Sequence, residues 1–558
     1  MNHNVLDTKD YVVFFIYFII VTAYGLYIYN KKKSVSTGSK DYFLAEGSLT
    51  WWAIGASLIA SNISAEQFIG MSGSGFKMGL AIATYEWMAA ATLIVVAVFF
   101  IPVYLKNKIS TMPQFLSQRY NGTVAMIMVV FWLLLYVVVN LTSILYLGAL
   151  AVSSISGFSL DLCMYAIAGF AIIITLGGMK VIGYTDVVQV FFLILGGLAT
   201  TYLALNLVSD HYGTKGIIEG YSLMTSKASE HFHMILKPDN ENYIDLPGLS
   251  VLIGGMWIVN LNYWGCNQYI TQRALGADLN TARGGILFAA FLKLLMPIIV
   301  VLPGIAAYVL FKDGAFQSEM VQGGSVNPDR AYPVLLNLLP AGLKGLSFAA
   351  LTAAVVASLA GKANSIATIF TLDIYKKVLK PDATEKNLVL TGKITIVAAM
   401  VLGVLIAPHL GIDKKGGFQY IQEYTGFVSP GIFAMFILGF FWKKTTSNAA
   451  LFATIGGFCL SLFLKFLPGQ ADLSWLSQWG FSVKNVMGIY EIPFIDRMGF
   501  VFLFCIIGMC IISISQNKQN AENKGLEIDI KMFKTTTGFA VGALLIIGLL
   551  VALYGIYW

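Results

Sequence analysis

The chain has 558 residues, of which 57% are hydrophobic and only 12% charged, and its mean hydropathy is +0.74. That composition excludes a soluble globular chain. Apolar runs of ~20 residues, each able to cross a ~30 Å hydrocarbon core as a helix, exclude a barrel of ~10-residue alternating strands. The net charge of +7 is not a nucleic-acid signal, because the basic residues sit in short loops between apolar runs.

The pattern predicts an all-α polytopic membrane protein with fourteen spans, at 11–29, 51–72, 80–105, 123–154, 160–176, 184–207 and 249–269, then 284–310, 345–370, 388–408, 418–441, 449–467, 498–515 and 537–558. The first is long and is followed by Lys31, Lys32 and Lys33, so it reads as a span rather than a cleaved signal peptide. The second contains A-S-N-I-S-A-E-Q-F-I-G-M-S-G-S-G at 60–75. Ser61, Asn62, Ser64, Glu66 and Gln67 are costly together at bilayer depth and mark a substrate or ion path, so a broken helix is expected there. The third carries an isolated carboxylate, Glu86.

The seventh span again packs polar groups into an apolar segment, V-N-L-N-Y-W-G-C-N-Q at 259–268. It lies five spans after the second, an odd number, so the two interrupted helices cross in opposite directions. Two five-helix units of opposite topology, 51–207 and 249–441, each opening on a broken helix, are the pattern of an inverted-repeat transporter. The helix at 11–29 precedes this core and three helices at 449–558 follow it in a single transporter domain. The alternative is two polar-decorated helices bonded to bundle neighbours.

Orientation follows from the short loops. Lys31–Lys33, Lys40, Lys106, Lys108, Arg119, Arg273, Arg283, Lys376, Lys377, Lys380, Lys443, Lys444, Lys518, Lys524, Lys531 and Lys534 share one side if the N-terminus is outside. Both termini and the segments 208–248 and 311–344 are then extracytoplasmic. His231 and His233 read as part of a solvated loop rather than a metal site. Cys163, Cys266, Cys459, Cys505 and Cys510 have no metal-ligand spacing and read as apolar filling.

Lys293 in the eighth span and Gln422 at the start of the eleventh join Gln67, Glu86 and Asn260 as donors and acceptors on five helices, with Tyr263 and Trp264 adjacent. Structural hydrogen bonding of Glu86 and snorkelling of Lys293 are the plainer roles. Many directional hydrogen bonds beside an aromatic face suit a neutral polyol. An amino acid would call for a helix N-terminus facing its carboxylate.

The motifs I-S-A-E-Q-F-I-G-M-S-G-S-G (63–75), Y-E-W-M (85–88), N-L-T-S-I-L-Y-L-G (140–148), Y-T-D-V-V-Q-V-F-F (184–192), Y-W-G-C-N-Q-Y-I-T-Q-R (263–273), N-S-I-A-T-I-F-T-L-D-I-Y-K (364–376) and F-Q-Y-I-Q-E-Y-T-G-F-V-S-P-G (418–431) resemble the sodium/solute symporter family over nearly the whole chain. The resemblance is to its bacterial sodium/galactose branch, related to the animal sodium/glucose cotransporters. It implies a LeuT-type 5+5 inverted-repeat core, with one extra helix before and three after, and sodium-coupled import of a galactose- or glucose-type sugar across a bacterial inner membrane by alternating access.

Carried over by motif, the sugar would contact Gln67, Glu86, Asn260, Lys293 and Gln422. Tyr263, with Trp264 beside it, would form the inner gate, and Met71, Tyr136 and Phe418 the outer gate. Sodium would be held by carbonyls of Ala60, Ile63 and Ala354, by the Ser358 hydroxyl, and at the position of Ala357. Asp186 would lie near this region.

Three positions depart from the family. Ala89 stands where a serine touches the sugar, and Ala357 where a serine holds the ion. Lys362 replaces an apolar residue one turn beyond Ser358, and Ala354, Ser358 and Lys362 share a helix face. An ammonium ~5 Å from a sodium ion repels it by roughly 3 kcal/mol at an effective dielectric of ~20. Either Lys362 pairs with Asp186 and sodium still binds, or Lys362 replaces the ion in a sodium-independent or proton-coupled sugar carrier. A membrane sugar sensor is the remaining expectation outside transport, and the short loops speak against it. Five histidines, none in a core span, and no nucleophile–base pair give no basis for an enzyme.

Overall fold

The computed structural model of the chain describes residues 6–31, 42–43, 49–322, 324–409, 417–485, 487–516 and 525–558. Lys32, Lys33, Lys40, Lys518 and Lys524 of the predicted basic loops lie outside them. The described residues are overwhelmingly helical, and all fourteen predicted spans fall on helical structure. By length and apolarity alone, ten helices among them can cross a membrane, with shorter apolar helices at Leu160–Thr175 and Ser429–Phe441. The second and third predicted spans run together, since helical structure is continuous from Glu66 to Lys106. The expected fourteen is therefore not reproduced as fourteen separate long helices.

The chain packs as two compact units. One comprises Met1–Glu86, Leu133–His233 and Gly284–Ile421; the other comprises Trp87–Trp132, Met234–Arg283 and Gln422–Trp558. Each takes pieces from both predicted five-helix segments, so the division in space is not the division in sequence.

The first unit is built around the helix Leu343–Ile369, which continues to Leu379 with 89% of its most apolar stretch buried. Its run of Ala, Gly and Ser lets neighbouring backbones approach closely, which is how membrane helices pack where apolar burial alone gives no preference. Thr8–Lys31, Trp51–Asn62, Leu160–Thr175, Gly178–His211 and Glu385–Ile406 all pack on it. Tyr17 and Val21 of the first helix meet Ala349 and Ala353 in one buried cluster. On Leu279–Lys312, a Cβ at Gly304 would stand 2.0 Å from the Ser72 carbonyl, so only glycine permits that crossing.

Gly79 marks the turn after the broken helix. Its φ of +71° and ψ of −147° belong to a region that side chains avoid, and a Cβ there would lie 2.2 Å from the His231 carbonyl. This contact corrects the expectation for His231. The residue is buried, its Nε2 is 3.1 Å from the Phe76 carbonyl oxygen, and its ring stacks on Tyr308 at 3.9 Å. Burial pushes the imidazole below its ordinary value. His231 fastens the extramembrane segment to the end of the broken helix, while His233 is exposed as expected.

In the second unit, Ser429–Phe441 packs on Phe494–Gln516 and Gly255–Gly265. Arg119 closes the end of Ser429–Phe441: Nε donates to Gly439 O (2.8 Å), Nη2 to Trp442 O (2.8 Å) and Nη1 to Thr445 O (3.1 Å). Cations at helix C-termini satisfy the last carbonyls and the helix dipole. Arg273 and Arg283 are buried as well. The three arginines counted as loop charges are therefore structural bonds too. Glu423 accepts from both Arg497 (2.9 Å) and Lys465 (2.6 Å), which makes it part of an ion network.

The helices expected outside the core are among the least buried, alongside the core helix Glu385–His409 at 28%. The fraction is 22% for Thr8–Ile28 and Thr537–Ile556, and 28% for Ser447–Gly469 and Phe494–Gln516.

Candidate substrate and cation site

The expected break is present. Trp51–Asn62 ends at Ile63, whose φ of −81° and ψ of 115° are extended, and the chain resumes as a π-helical turn, Glu66–Met71. The sequence S-A-E-Q supplies the restart. Gln67 Oε1 accepts from the Ser64 amide (2.9 Å), and Ser64 Oγ accepts from the Glu66 amide (3.1 Å). This reciprocal capping satisfies amides that an interrupted helix would otherwise leave unpaired in an apolar medium. The seventh predicted span is also interrupted: Gly255–Gly265 stops at Cys266, and Gln268–Leu275 begins after the Asn267 side chain caps it.

Beside the first break lies a buried charge pair. Lys293 is 1% exposed and forms an ion pair with Glu86, also buried, while donating to Asn62 Oδ1. Lys293 does not snorkel, and the two charges neutralise one another where a lone charge would be very costly. Asn62 belongs to this constellation but was absent from the expected contacts. Its signal was there, an amide in the last turn before a helix break. Gln67 spends its carbonyl oxygen on the cap and keeps its amide nitrogen for another acceptor. The expected outer-gate residues Met71, Tyr136 and Phe418 are all buried in the same unit. Phe418 meets Tyr85 edge-on at 4.9 Å, and its backbone covers Gly70.

Asn260, Tyr263, Trp264 and Gln422 belong to the other unit. Asn260 Nδ2 donates within its helix to Met256 O (3.2 Å), leaving its carbonyl oxygen available. Tyr263 meets Trp264 edge-on at 5.1 Å, and its hydroxyl is 3.1 Å from that of Tyr269. Gln422 is half-buried on Gly417–Gly426. Ala89 is buried, and Thr92 spends its proton on the Ala89 carbonyl (3.0 Å), so it does not supply the donor that a serine would have brought.

The cation positions gather in the first unit. Ser358 Oγ donates to Ser61 O (3.0 Å), which joins the central helix to the frayed carbonyls before the break. Ala60, Ile63, Ala354, Ala357 and Ser358 are all buried. Carbonyl and hydroxyl oxygens are the hard donors an alkali cation takes. This set fits sodium, with one oxygen fewer because Ala357 has no hydroxyl. Asp186 accepts from Ser57 (2.6 Å), one turn before Ser61. Lys362 donates to Asn140 Oδ1 (3.1 Å) and is attracted electrostatically by Glu66. Pairing of Lys362 with Asp186 was one of the two readings the sequence left open. Neither Asn140 nor Glu66 was singled out as its partner, although each is a polar group in an apolar span.

A capped break in a membrane helix, set against a fully buried helix of small residues and flanked by a neutral ion pair, defines a polytopic helical transporter. The sodium:solute symporter family matches residues 42–457. The chain is 46% identical to the Sodium/glucose cotransporter of Vibrio parahaemolyticus, covering 99% of both sequences. It is 34% identical to the Sodium/myo-inositol cotransporter 2 of Homo sapiens, over 87% of this chain and 74% of that one. The chain therefore belongs to the sodium:solute symporter family. A solved Na+-coupled sialic acid symporter superposes with a TM-score of 0.74 at 21% identity, over 91% of this chain and 98% of the other. At that identity the likeness speaks for the fold, which is the LeuT-type helical transporter fold.

Proposed function

We propose that the chain is a sodium-coupled symporter of a galactose- or glucose-type sugar, working by alternating access and releasing its substrate unmodified. The carrying observation is the buried Lys293–Glu86–Asn62 constellation at the capped break. It is neutral overall yet rich in charge-assisted donors and acceptors, which suits hydroxyl groups better than a charged solute. The names of the glucose and myo-inositol cotransporters given above support the same class of substrate.

In this reading Gln67, Glu86, Asn260, Lys293 and Gln422 bind the sugar, Tyr263 and Trp264 gate the inside, and Met71, Tyr136 and Phe418 gate the outside. Sodium is held by the carbonyls of Ala60, Ile63 and Ala354 and by the Ser358 hydroxyl, near the break. The repeats comprise 51–207 and 249–441. The protein resides in the plasma membrane with both termini extracytoplasmic, as the loop charges indicate.

Uptake of labelled galactose, glucose and myo-inositol into proteoliposomes under a sodium gradient tests this. At least one should accumulate unmodified, and Glu86→Ala and Gln422→Ala should each abolish the accumulation. Undiminished uptake in both variants would sink the site assignment.

A further inference from the structure

The central helix carries an ammonium where the cation site meets it. Lys362 is 4% exposed and lies one turn beyond Ser358, whose hydroxyl is bonded to Ser61 O before the break. Its two identified partners both sit on π-helical turns, Asn140 on Leu135–Leu141 and Glu66 on Glu66–Met71. Such turns present extra backbone and side-chain groups and recur at functional positions. Glu66 Oε1 is buried and makes no hydrogen bond among the described residues, so one of its carboxylate oxygens stays uncommitted. Asp186, bonded to Ser57, and Glu86, paired with Lys293, are further acidic groups near the break.

Lys362 ties the central helix to the turn Leu135–Leu141 through Asn140, one turn from the Ser358 hydroxyl that reaches the break. It carries the same sign of charge as the ion. At an effective dielectric of ~20, like charges ~5–6 Å apart weaken binding roughly a hundredfold, an effect that a facing carboxylate reduces. We propose that Lys362 is a built-in competitor of the coupling sodium ion, with Glu66 as its counter-charge, and that the pair sets sodium affinity low. This rests on the sodium-coupled reading above and adds the residues that tune it.

The test is a sodium titration of thermal unfolding of the full-length protein in detergent, without sugar, with choline chloride keeping ionic strength constant. K362Q keeps a donor for Asn140 and removes the charge. Its half-saturating sodium should fall at least tenfold below wild type, K362R should stay near wild type, and E66Q should require more sodium. A wild type that shows no sodium response while K362Q shows one supports the same conclusion. The proposal is overturned if K362Q titrates within twofold of wild type, if it binds sodium more weakly, or if neither protein responds. Should K362Q not fold, K362M and E66Q carry the same comparison. Sugar uptake is measured separately: its loss with the sodium shifts intact strikes the substrate reading alone.

Discussion

At the scale of single residues, the Glu86–Lys293 pair determines what the site tolerates. Each group is buried, and removing one partner leaves the other uncompensated, at a cost of roughly 3–5 kcal/mol. Glu86→Gln and Lys293→Met should each lower the melting temperature in detergent substantially. The double variant should recover much of that loss, because no buried charge remains, and should still fail to take up sugar. A double variant less stable than either single would show that the pair is not a mutual neutraliser. Glu86 and Lys293 were legible in the sequence because ionisable groups in apolar spans are costly and so stand out. Asn62, Glu66 and Asn140 were not read as partners, since a polar side chain in a span does not itself reveal which helix it faces.

The broken helix carries the candidate site of the first unit, and its ends can be probed locally. Gly79→Ala places a Cβ 2.2 Å from the His231 carbonyl in a backbone region nearly confined to glycine. Gly157, with φ of +75° and nothing near its would-be Cβ, isolates the backbone part, about 1–2 kcal/mol. Gly157→Ala should therefore yield folded protein of slightly lower stability, whereas Gly79→Ala should fold poorly. Comparable monodisperse yields for the two would contradict the close join.

The same join should respond to pH. Burial depresses the His231 pKa in the folded state, so the unfolded chain takes up this proton first as pH falls. The contribution is intact above the unfolded value of ~6.5 and is lost as pH descends from there to the depressed folded value. Hydrogen exchange in 217–233 should speed up between pH 7 and 5 relative to the rest of the protein, after correction for intrinsic rates, and His231→Gln should flatten that difference. The break itself was legible from Ser61, Asn62, Ser64, Glu66 and Gln67, polar residues inside an apolar run. The fastening of His231 was not, because a histidine in a polar extramembrane segment looks solvated until the fold brings Phe76 and Tyr308 against it.

For the whole molecule, the proposed orientation makes a direct prediction: epitope tags at either end should be reached by impermeant antibody on spheroplasts with an intact plasma membrane. A tag reached only after permeabilisation would reverse the reading of the loop charges. Arg119, Arg273 and Arg283 show why such charges need care, since buried arginines serve packing as well as orientation. The sequence alone determined the class, the helices and the two breaks, because burying backbone and charge in lipid is so costly that each exception leaves a mark. Tertiary structure alone decided how these are grouped. It placed pieces of both five-helix segments in each unit, paired Lys293 with Glu86 and Asn62, and bonded Lys362 to Asn140. Those choices depend on which helix faces which over long sequence separations, and local periodicity in a uniformly apolar helix carries little record of that.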